Sequence, residues 1–407
     1  MKVLVVTWGW RSHLYPLVPL AWALRSAGHD VVVAGPPDLV GAITDAGLPA
    51  VPVGGLLDFA EVAAGQVGPV ADGPSVEGAD RGGVDGLPPT ITADGVAFRY
   101  AAAMLPELVD FGRFHRPDLV LHEPGNLAAA VAAAALRVPS VRLLWGPDHG
   151  TRLRLDVDAV LGPLVGGLGL GRALDPADVA LDGTLTLDPC PPPMQVPLPV
   201  TTLPIRFVPY NGTAVLPGWL RRPSQRPLVC LTRGTLMAAM GLDTRFDLVG
   251  AVRALAELDV TVVLALSGVD LTGVALPADV RVCTGALALH LLLPRCAAVV
   301  HQGGAGTTMT AAACGVPQLV VPAVADQHFN AERVVRTGAG TALPVERAGP
   351  GAVRDAVAAL LADPGRQAMA SELRRRSDAR PAPSATVPHL EQLAAEHLRT
   401  RRLENTA

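Results

Sequence analysis

Along this chain, short unbroken runs of aliphatic residues alternate with longer stretches in which apolar positions recur at helical spacing. Val3–Val6 is such a run, and a strand without polar alternation is one buried on both faces of a parallel sheet. After the loop Thr7-Trp8-Gly9-Trp10-Arg11-Ser12-His13-Leu14-Tyr15, a helix is predicted with Pro16 near its first turn, running to Ala27 and stopped by Gly28. Strand Val31–Ala34 and helix Asp38–Ala46, closed by Gly47, repeat the unit, which is the mark of a doubly wound α/β sheet. The register lapses between about Leu56 and Ala97, where Gly, Pro, Asp and Glu predominate; the segment reads as a long loop or a pair of irregular helices, either covering a binding site or forming a plain insertion. Helix Met104–His115, strand Asp118–His122, helix Asn126–Leu136 and strand Ser140–Leu144 then restore it.

Residues 151–200 begin with apolar periodicity and end in Pro189-Cys190-Pro191-Pro192-Pro193, which can be neither helix nor central strand. The proline-interrupted stretch from Leu203 to Arg226 suits a linker, and a domain boundary is placed near residue 215. Beyond it the same logic starts again: strand Leu228–Leu231, helix Arg245–Leu258, and strands Val260–Leu266 and Val280–Cys283. Helices over Pro350–Leu361, Arg366–Arg376 and Pro388–Arg402 end the chain.

The most informative stretch is Val299 to Ala331, VVHQGGAGTTMTAAACGVPQLVVPAVADQHFNA. It predicts an apolar strand, a glycine turn, a helix of small residues and a second strand ending at Asp326-Gln327-His328. Gly303, Gly304 and Gly306 let the backbone approach a ligand closely, and Thr307-Thr308 can start the helix while offering hydroxyls. The free N–H groups of that helix start, with its positive dipole end, favour an anion. A tight turn of purely steric origin is the competing explanation. The polar His301 before the glycines and Asp326-Gln327 one strand-helix unit later favour a phosphate ester with a polyhydroxylic part, because both would reach the crevice at the carboxyl ends of neighbouring strands.

Composition narrows the field. A chain of 407 residues suggests two domains, and its formal charge of −4 argues against nucleic acid or an anionic membrane as partner. The five cysteines are scattered without CxxC or metal spacing, so free thiols are expected. The apolar run at the N-terminus is too brief for a signal-peptide core, and glycines and prolines interrupt the uncharged residues 296–325; a soluble cytoplasmic protein without membrane insertion is expected. No DxD-like carboxylate pair offers a divalent-metal site, so charge on a leaving group would be met by dipoles, hydroxyls and cationic side chains.

His301-Gln302-Gly303-Gly304-Ala305-Gly306-Thr307, followed by Gly315-Val316-Pro317-Gln318, Pro322 and Asp326-Gln327, resembles the nucleotide-sugar signature of family 1 glycosyltransferases. Within that family the chain is most similar to the actinobacterial enzymes that attach deoxysugars to antibiotic aglycones, and its VPYNG segment at 208–212 is similar to the one that precedes their second domain. The resemblance implies a GT-B fold: two facing Rossmann-like α/β domains, here an acceptor domain over 1–215 and a donor domain over 216–385, with a helix over 386–407 returning to the first. It implies an inverting single displacement without metal or resident cofactor, a nucleoside-diphosphate deoxysugar (expected to be the thymidine form) as co-substrate, and a hydroxylated polyketide or macrolide as acceptor.

On this resemblance His301 lies against the diphosphate and Asp326 and Gln327 hold sugar hydroxyls, although Asp326 would equally cap a helix starting near Phe329. Gly234 and Thr235 would add donors; Arg233 would add a charge or point to solvent. His13, in a run RSHLYPLVPLAWAL similar to the start of the antibiotic glycosyltransferases, takes the place of their general base, a role suited to a group titrating near neutrality. Glu123 stands where an orienting Asp is usual; its longer side chain reaches His13 or the pair is absent. The aromatic residue that stacks on the nucleobase has no counterpart in Cys283-Thr284-Gly285-Ala286-Leu287, which leaves backbone atoms near Val282 or Leu287 to meet the base. Trp8, Trp10 and Trp145 suit a flat apolar acceptor or simply the core. A GT-B epimerase and a non-catalytic sugar-nucleotide or aglycone binder are the rival readings, and a homodimer or a helper protein the partners left open.

Overall fold

The computed structural model describes residues 1–57, 90–91, 95–152, 154–155, 157–169, 174–234, 245–266, 271–283, 287–323 and 326–406. In chain order its strands are β1 (Lys2–Val6), β2 (Asp30–Gly35), β3 (Ala50–Pro52), β4 (Thr90–Ile91), β5 (Leu119–His122), β6 (Ser140–Leu143), β7 (Arg154–Leu155), β8 (Leu185–Asp188), β9 (Thr202–Pro204), β10 (Leu228–Thr232), β11 (Thr261–Ala265), β12 (Arg281–Cys283), β13 (Cys296–His301), β14 (Gln318–Val320) and β15 (Gly340–Ala342). They form two parallel sheets, ordered β3-β2-β1-β5-β6-β8-β9 and β12-β11-β10-β13-β14-β15, with β4 and β7 as a separate short pair. Each sheet reverses its winding beside its first strand, between β1 and β5 and between β10 and β13. Loops at those two places diverge and leave a crevice.

The aliphatic runs are explained by burial on both faces. Val3 and Val5 face a core shared with helix Val18–Ser26, whereas Leu4 and Val6 face one shared with helices Val96–His115 and Leu127–Leu136. In the second sheet Val229 and Leu231 pack on one side and Leu228 and Cys230 on the other. Asn126 caps helix Leu127–Leu136 by accepting from Ala129 N at 3.0 Å, and its amide donates to Val6 O, tying that helix start to β1.

The helix expected with Pro16 near its first turn and running to Ala27 is Val18–Ser26, with Pro19 in its first turn, and the loop expected before it carries a short helix, Arg11–Leu14. The helix expected to begin at Met104 begins at Val96 and accommodates Pro106, and the last begins at Pro383 rather than Pro388. The helix expected over Arg245–Leu258 is shorter, Leu248–Leu255, started by Asp247, which accepts from Gly250 N. Strands β8 and β9, flanking the proline cluster, were not anticipated. β9 is an edge strand whose final residue is Pro204, a position that needs no ladder N–H. The expectation of a loop or irregular helices falls mainly on residues 58–89 and 92–94, outside the described residues.

The two sheets are joined by more than the linker. Cys190, Met194 and Phe207 share a core with Met309, Ala312 and Leu373; Arg333 donates to Met194 O and Gln195 O; Arg380 pairs with Asp188. The helix Pro383–Thr406 lies against the first sheet's domain, with Val387 and Leu390 in its core and Glu391 3.0 Å from His29. All five cysteines are free thiols.

Candidate active site

A cavity of about 1110 Å³ opens where the two crevices face each other. On the N-terminal side, the turn after β1 supplies Trp8, Trp10, Arg11, Ser12 and His13 to its wall. His13 Nδ1 is 2.5 Å from Glu123 Oε2, with the His13 side chain 12% exposed and that of Glu123 fully buried. Glu123 follows directly on β5, the neighbour of β1, so the winding reversal places the pair together. Its carboxylate also accepts from Thr7 Oγ1 (3.0 Å), Trp8 N (2.9 Å) and Trp145 Nε1 (3.2 Å). A buried carboxylate needs such donors, because they replace the hydration lost on burial. The imidazole stands among Trp8, Trp10 and Trp145, with ring centroids 4.5–5.0 Å away and interplanar angles of 62–69°. With Nδ1 held by Glu123, Nε2 is the ring nitrogen left to take a proton from a bound hydroxyl.

On the C-terminal side the wall is built from Thr232 and Gly234 after β10, and from Gln302, Gly304, Ala305, Gly306 and Thr307 after β13. Helix Ala305–Cys314 starts here with Gly304 as its N-cap. Gly303 has φ +95°, and a Cβ on it would meet Val320 Cγ1 at 2.8 Å and Gln327 O at 2.9 Å, so only glycine fits. Gln302 lies between the two turns, against Gly234 and Gly304, and its buried Oε1 has no hydrogen-bond partner among the described residues. Asp326 and Gln327 complete the wall.

Not every residue singled out from the sequence stands on this wall. His301 is turned away from the cleft: Nε2 contacts Gln318 Oε1 at 2.9 Å and Nδ1 accepts from Gly303 N at 3.0 Å. Both contacts are met only by the neutral imidazole carrying its proton on Nε2, and burial pushes its pKa down to about 4. In place of the expected diphosphate contact, it braces the glycine turn from behind. Arg233 points neither to a phosphate nor to solvent; it is buried, its guanidinium 4.5 Å over the Phe246 ring. Thr308 is buried and donates to Gly304 O, whereas Thr307 lines the cavity. Asp326 is the first residue of helix Asp326–Arg336 rather than a cap of a later one, and accepts from Asn330 Nδ2 at 3.2 Å. Gln327 lines the cavity while its Oε1 accepts from Ala323 N. Val282 is 43% exposed away from the cavity, whose wall there is Ala265, Leu266, Cys283, Leu287 and Leu289, without an aromatic ring among the described residues. Thr235 lies outside the described residues.

The floor comes from the linker, Phe207, Val208 and Tyr210–Thr213. Asn211 anchors it to the second domain, donating to Thr310 Oγ1 and accepting from His290 N. The N-terminal wall also carries Leu127, Trp145, His149, Leu181 and Arg142, the last pairing with Asp148 (3.0 Å) and Asp182 (2.7 Å). Among the described residues no cluster of His, Cys, Asp or Glu could hold a metal ion, and no helix is long and apolar enough to cross a membrane.

Residues 22–234 match the family model described as Erythromycin biosynthesis protein CIII-like, N-terminal domain, and residues 250–393 match its C-terminal counterpart. The chain belongs to this family of glycosyltransferases. The TDP-daunosamine transferase of Streptomyces peucetius is 40% identical to it over 429 residues, covering 98% of each chain. The 10-deoxymethynolide desosaminyltransferase of Streptomyces venezuelae is 37% identical over 425 residues, again 98% of each. Among solved structures, the glycosyltransferase VinC in complex with dTDP aligns with a TM-score of 0.77 at 35% identity, covering 97% of this chain and 100% of VinC. The two parallel sheets facing a cleft are thus the GT-B fold expected from the sequence, and the protein is a glycosyltransferase rather than an epimerase or a non-catalytic binder.

In this glycosyltransferase the reading of single residues missed Thr7 and the Trp145 N–H as partners of Glu123, Gln302 between the glycine turns, and the linker as cleft floor. Trp145 was legible only as a flat apolar surface, because the indole's hydrogen-bond direction depends on where β6 ends relative to β5. Gln302 was within the motif but carried no chemical signal of its own.

Proposed function

We propose that the enzyme transfers a deoxysugar, with inversion at the anomeric carbon and without a metal ion, from a thymidine diphosphate sugar to a hydroxyl of a polyketide aglycone. The observation that carries this reading is the His13–Glu123 pair, ringed by tryptophans, on the opposite wall of one cleft from the glycine turn and helix start of Ala305–Cys314. The acceptor hydroxyl gives its proton to His13 Nε2 as its oxygen bonds the anomeric carbon, and the Glu123 carboxylate stabilises the imidazolium that forms. The sugar–phosphate bond breaks as that bond forms, and the diphosphate leaves into the N–H groups of the turn. Asp326 and Gln327, next to that turn, hold sugar hydroxyls. The N-terminal wall, with Leu127, Trp145 and Leu181, takes the flat aglycone. Support for these substrates comes from the relatives, whose names specify TDP-daunosamine for one and 10-deoxymethynolide for another, and from the dTDP bound to VinC.

The test is to incubate the purified chain with thymidine and uridine deoxysugar donors and a panel of anthracycline and macrolide aglycones in chelator. Product and nucleoside diphosphate are followed by mass spectrometry, with His13→Ala in parallel. Glycoside formed by the native protein and reduced about 10²- to 10⁴-fold in the variant is the expected result. Undiminished turnover by His13→Ala would remove His13 as the base.

A further inference from the structure

The diphosphate of a sugar donor carries two negative charges and gains another as the glycosidic bond breaks, and none of the basic side chains expected on the donor wall faces the cavity. Arg233 is buried and stacked on Phe246, His301 is neutral and turned inward, and Arg245 is committed to Ala323 O and Glu346. The neighbouring segments 235–244, 267–270, 284–286 and 324–325 hold no Arg, Lys or His in sequence. Among the described residues the donor wall therefore offers only neutral donors: backbone N–H groups, Thr232, Thr307 and the Gln302 amide. Two arginines among the described residues do line the cavity, both on the opposite wall. Arg142 is neutralised by Asp148 and Asp182. Arg11 is exposed, lies beside the Tyr15 hydroxyl and has no carboxylate partner among the described residues.

We infer that Arg11 is the cation for the leaving diphosphate, supplied across the cleft by the domain that binds the acceptor. This rests on the donor reading proposed above. Arg11 and His13 are two residues apart on one helical turn, so their side chains leave it in nearly opposite directions. One short helix thereby serves the oxygen being joined and, through the long Arg11 side chain, the oxygen being released. A guanidinium suits this place because it stays charged and grips two phosphate oxygens at once. Because the contact crosses the cleft, it forms fully only with donor bound, and it couples closure of the two domains to the presence of a diphosphate.

The experiment compares native protein, Arg11→Gln and Arg11→Lys by titration calorimetry with thymidine diphosphate and with uncharged thymidine, and by steady-state kinetics with a productive donor and acceptor. Arg11 is exposed, so the variants are expected to keep the native melting temperature. The inference predicts that Arg11→Gln loses roughly tenfold in diphosphate affinity and about 10²-fold in kcat, leaves thymidine binding unchanged, and flattens the salt dependence of diphosphate binding, while Lys restores much of both losses. Equal affinity of native and Arg11→Gln for thymidine diphosphate overturns it, as does a defect confined to the acceptor KM, which would assign Arg11 to the aglycone. Native protein that binds no nucleoside diphosphate at all would sink the donor reading itself, and this inference with it.

Discussion

Replacing Glu123 by Gln preserves the size of the side chain and removes a charge and one acceptor, which the environment of Glu123 cannot tolerate without a change at His13. One carboxylate oxygen accepts from Thr7 Oγ1 and Trp8 N; the other accepts from Trp145 Nε1 and faces His13 Nδ1 at 2.5 Å. An amide has a single oxygen. If that oxygen stays with Thr7 and Trp8, its NH₂ is directed at the Trp145 N–H and at His13, and His13 can meet it only by accepting on Nδ1. The imidazole proton then moves to Nε2, the nitrogen that in the proposed mechanism receives the acceptor's proton. Each orientation sets the NH₂ against one N–H, that of Trp145 in the first and that of Trp8 in the opposite flip; the Trp8 contact is fully buried and the Trp145 contact only part-buried, so the flip is the costlier, at about 1–3 kcal/mol of stability. The first orientation is therefore expected, with kcat lowered about 10²- to 10⁴-fold, equivalent to roughly 3–5 kcal/mol of transition-state stabilisation. The KM for the donor should hardly move, since Glu123 is buried behind His13 and lines no part of the cavity. The assay is nucleoside diphosphate release under saturating donor and acceptor, with a melting curve to verify the fold. A folded Glu123→Gln protein with kcat within about threefold of native would refute the argument that the carboxylate sets the tautomer and charge of His13.

Burial pushes His122 in the first sheet and His301 in the second down to about 4, against about 6.5 for an exposed imidazole. Below 6.5 the unfolded chain binds protons that the folded chain refuses, so the stability these neutral imidazoles allow is present above 6.5 and is lost as the pH falls through 4. At about 1.4 kcal/mol per unit the loss is on the order of 3 kcal/mol per residue, and melting curves from pH 7 to 4 should steepen in decline below 6.5 and flatten in His301→Gln. Gly303→Ala forces a Cβ against Val320 and the Gln327 carbonyl at φ +95°, so about 1–3 kcal/mol of stability and a raised donor KM are expected, and an unaltered KM would show that the turn does not meet the donor. Leu390, fully buried where the last helix crosses onto the first domain, should lose about 3 kcal/mol on replacement by Ala, seen as a drop of roughly 6–12 °C in melting temperature; a drop under 2 °C would mean that the helix docks loosely.

Local pattern was sufficient for the two α/β units, most of their strands, the glycine turn and the placing of His13 and Asp326-Gln327 beside cleft-forming loops. Continuous aliphatic runs arise only where a strand is covered on both faces, and a glycine at φ +95° is required by the backbone itself, so both leave a local imprint. Edge strands and helix starts were less legible: β8 and β9 are short and flanked by prolines, and helix Val96–His115 follows a stretch of weak periodicity. What only the tertiary structure decided is which way side chains of equal promise point. His301 and Arg233 sit in the motifs as plainly as Thr307 and Arg11 do, yet the first two are turned inward by the Gln318 side-chain amide on β14 and the ring of Phe246, and the last two face the cavity. Glu123 at Nδ1 of His13 likewise depends on β5 lying beside β1, a pairing between residues 116 positions apart in sequence. Sequence determines which residue types are available at the end of each strand; the order of strands in the sheet, set by packing over the whole domain, determines which of them meet.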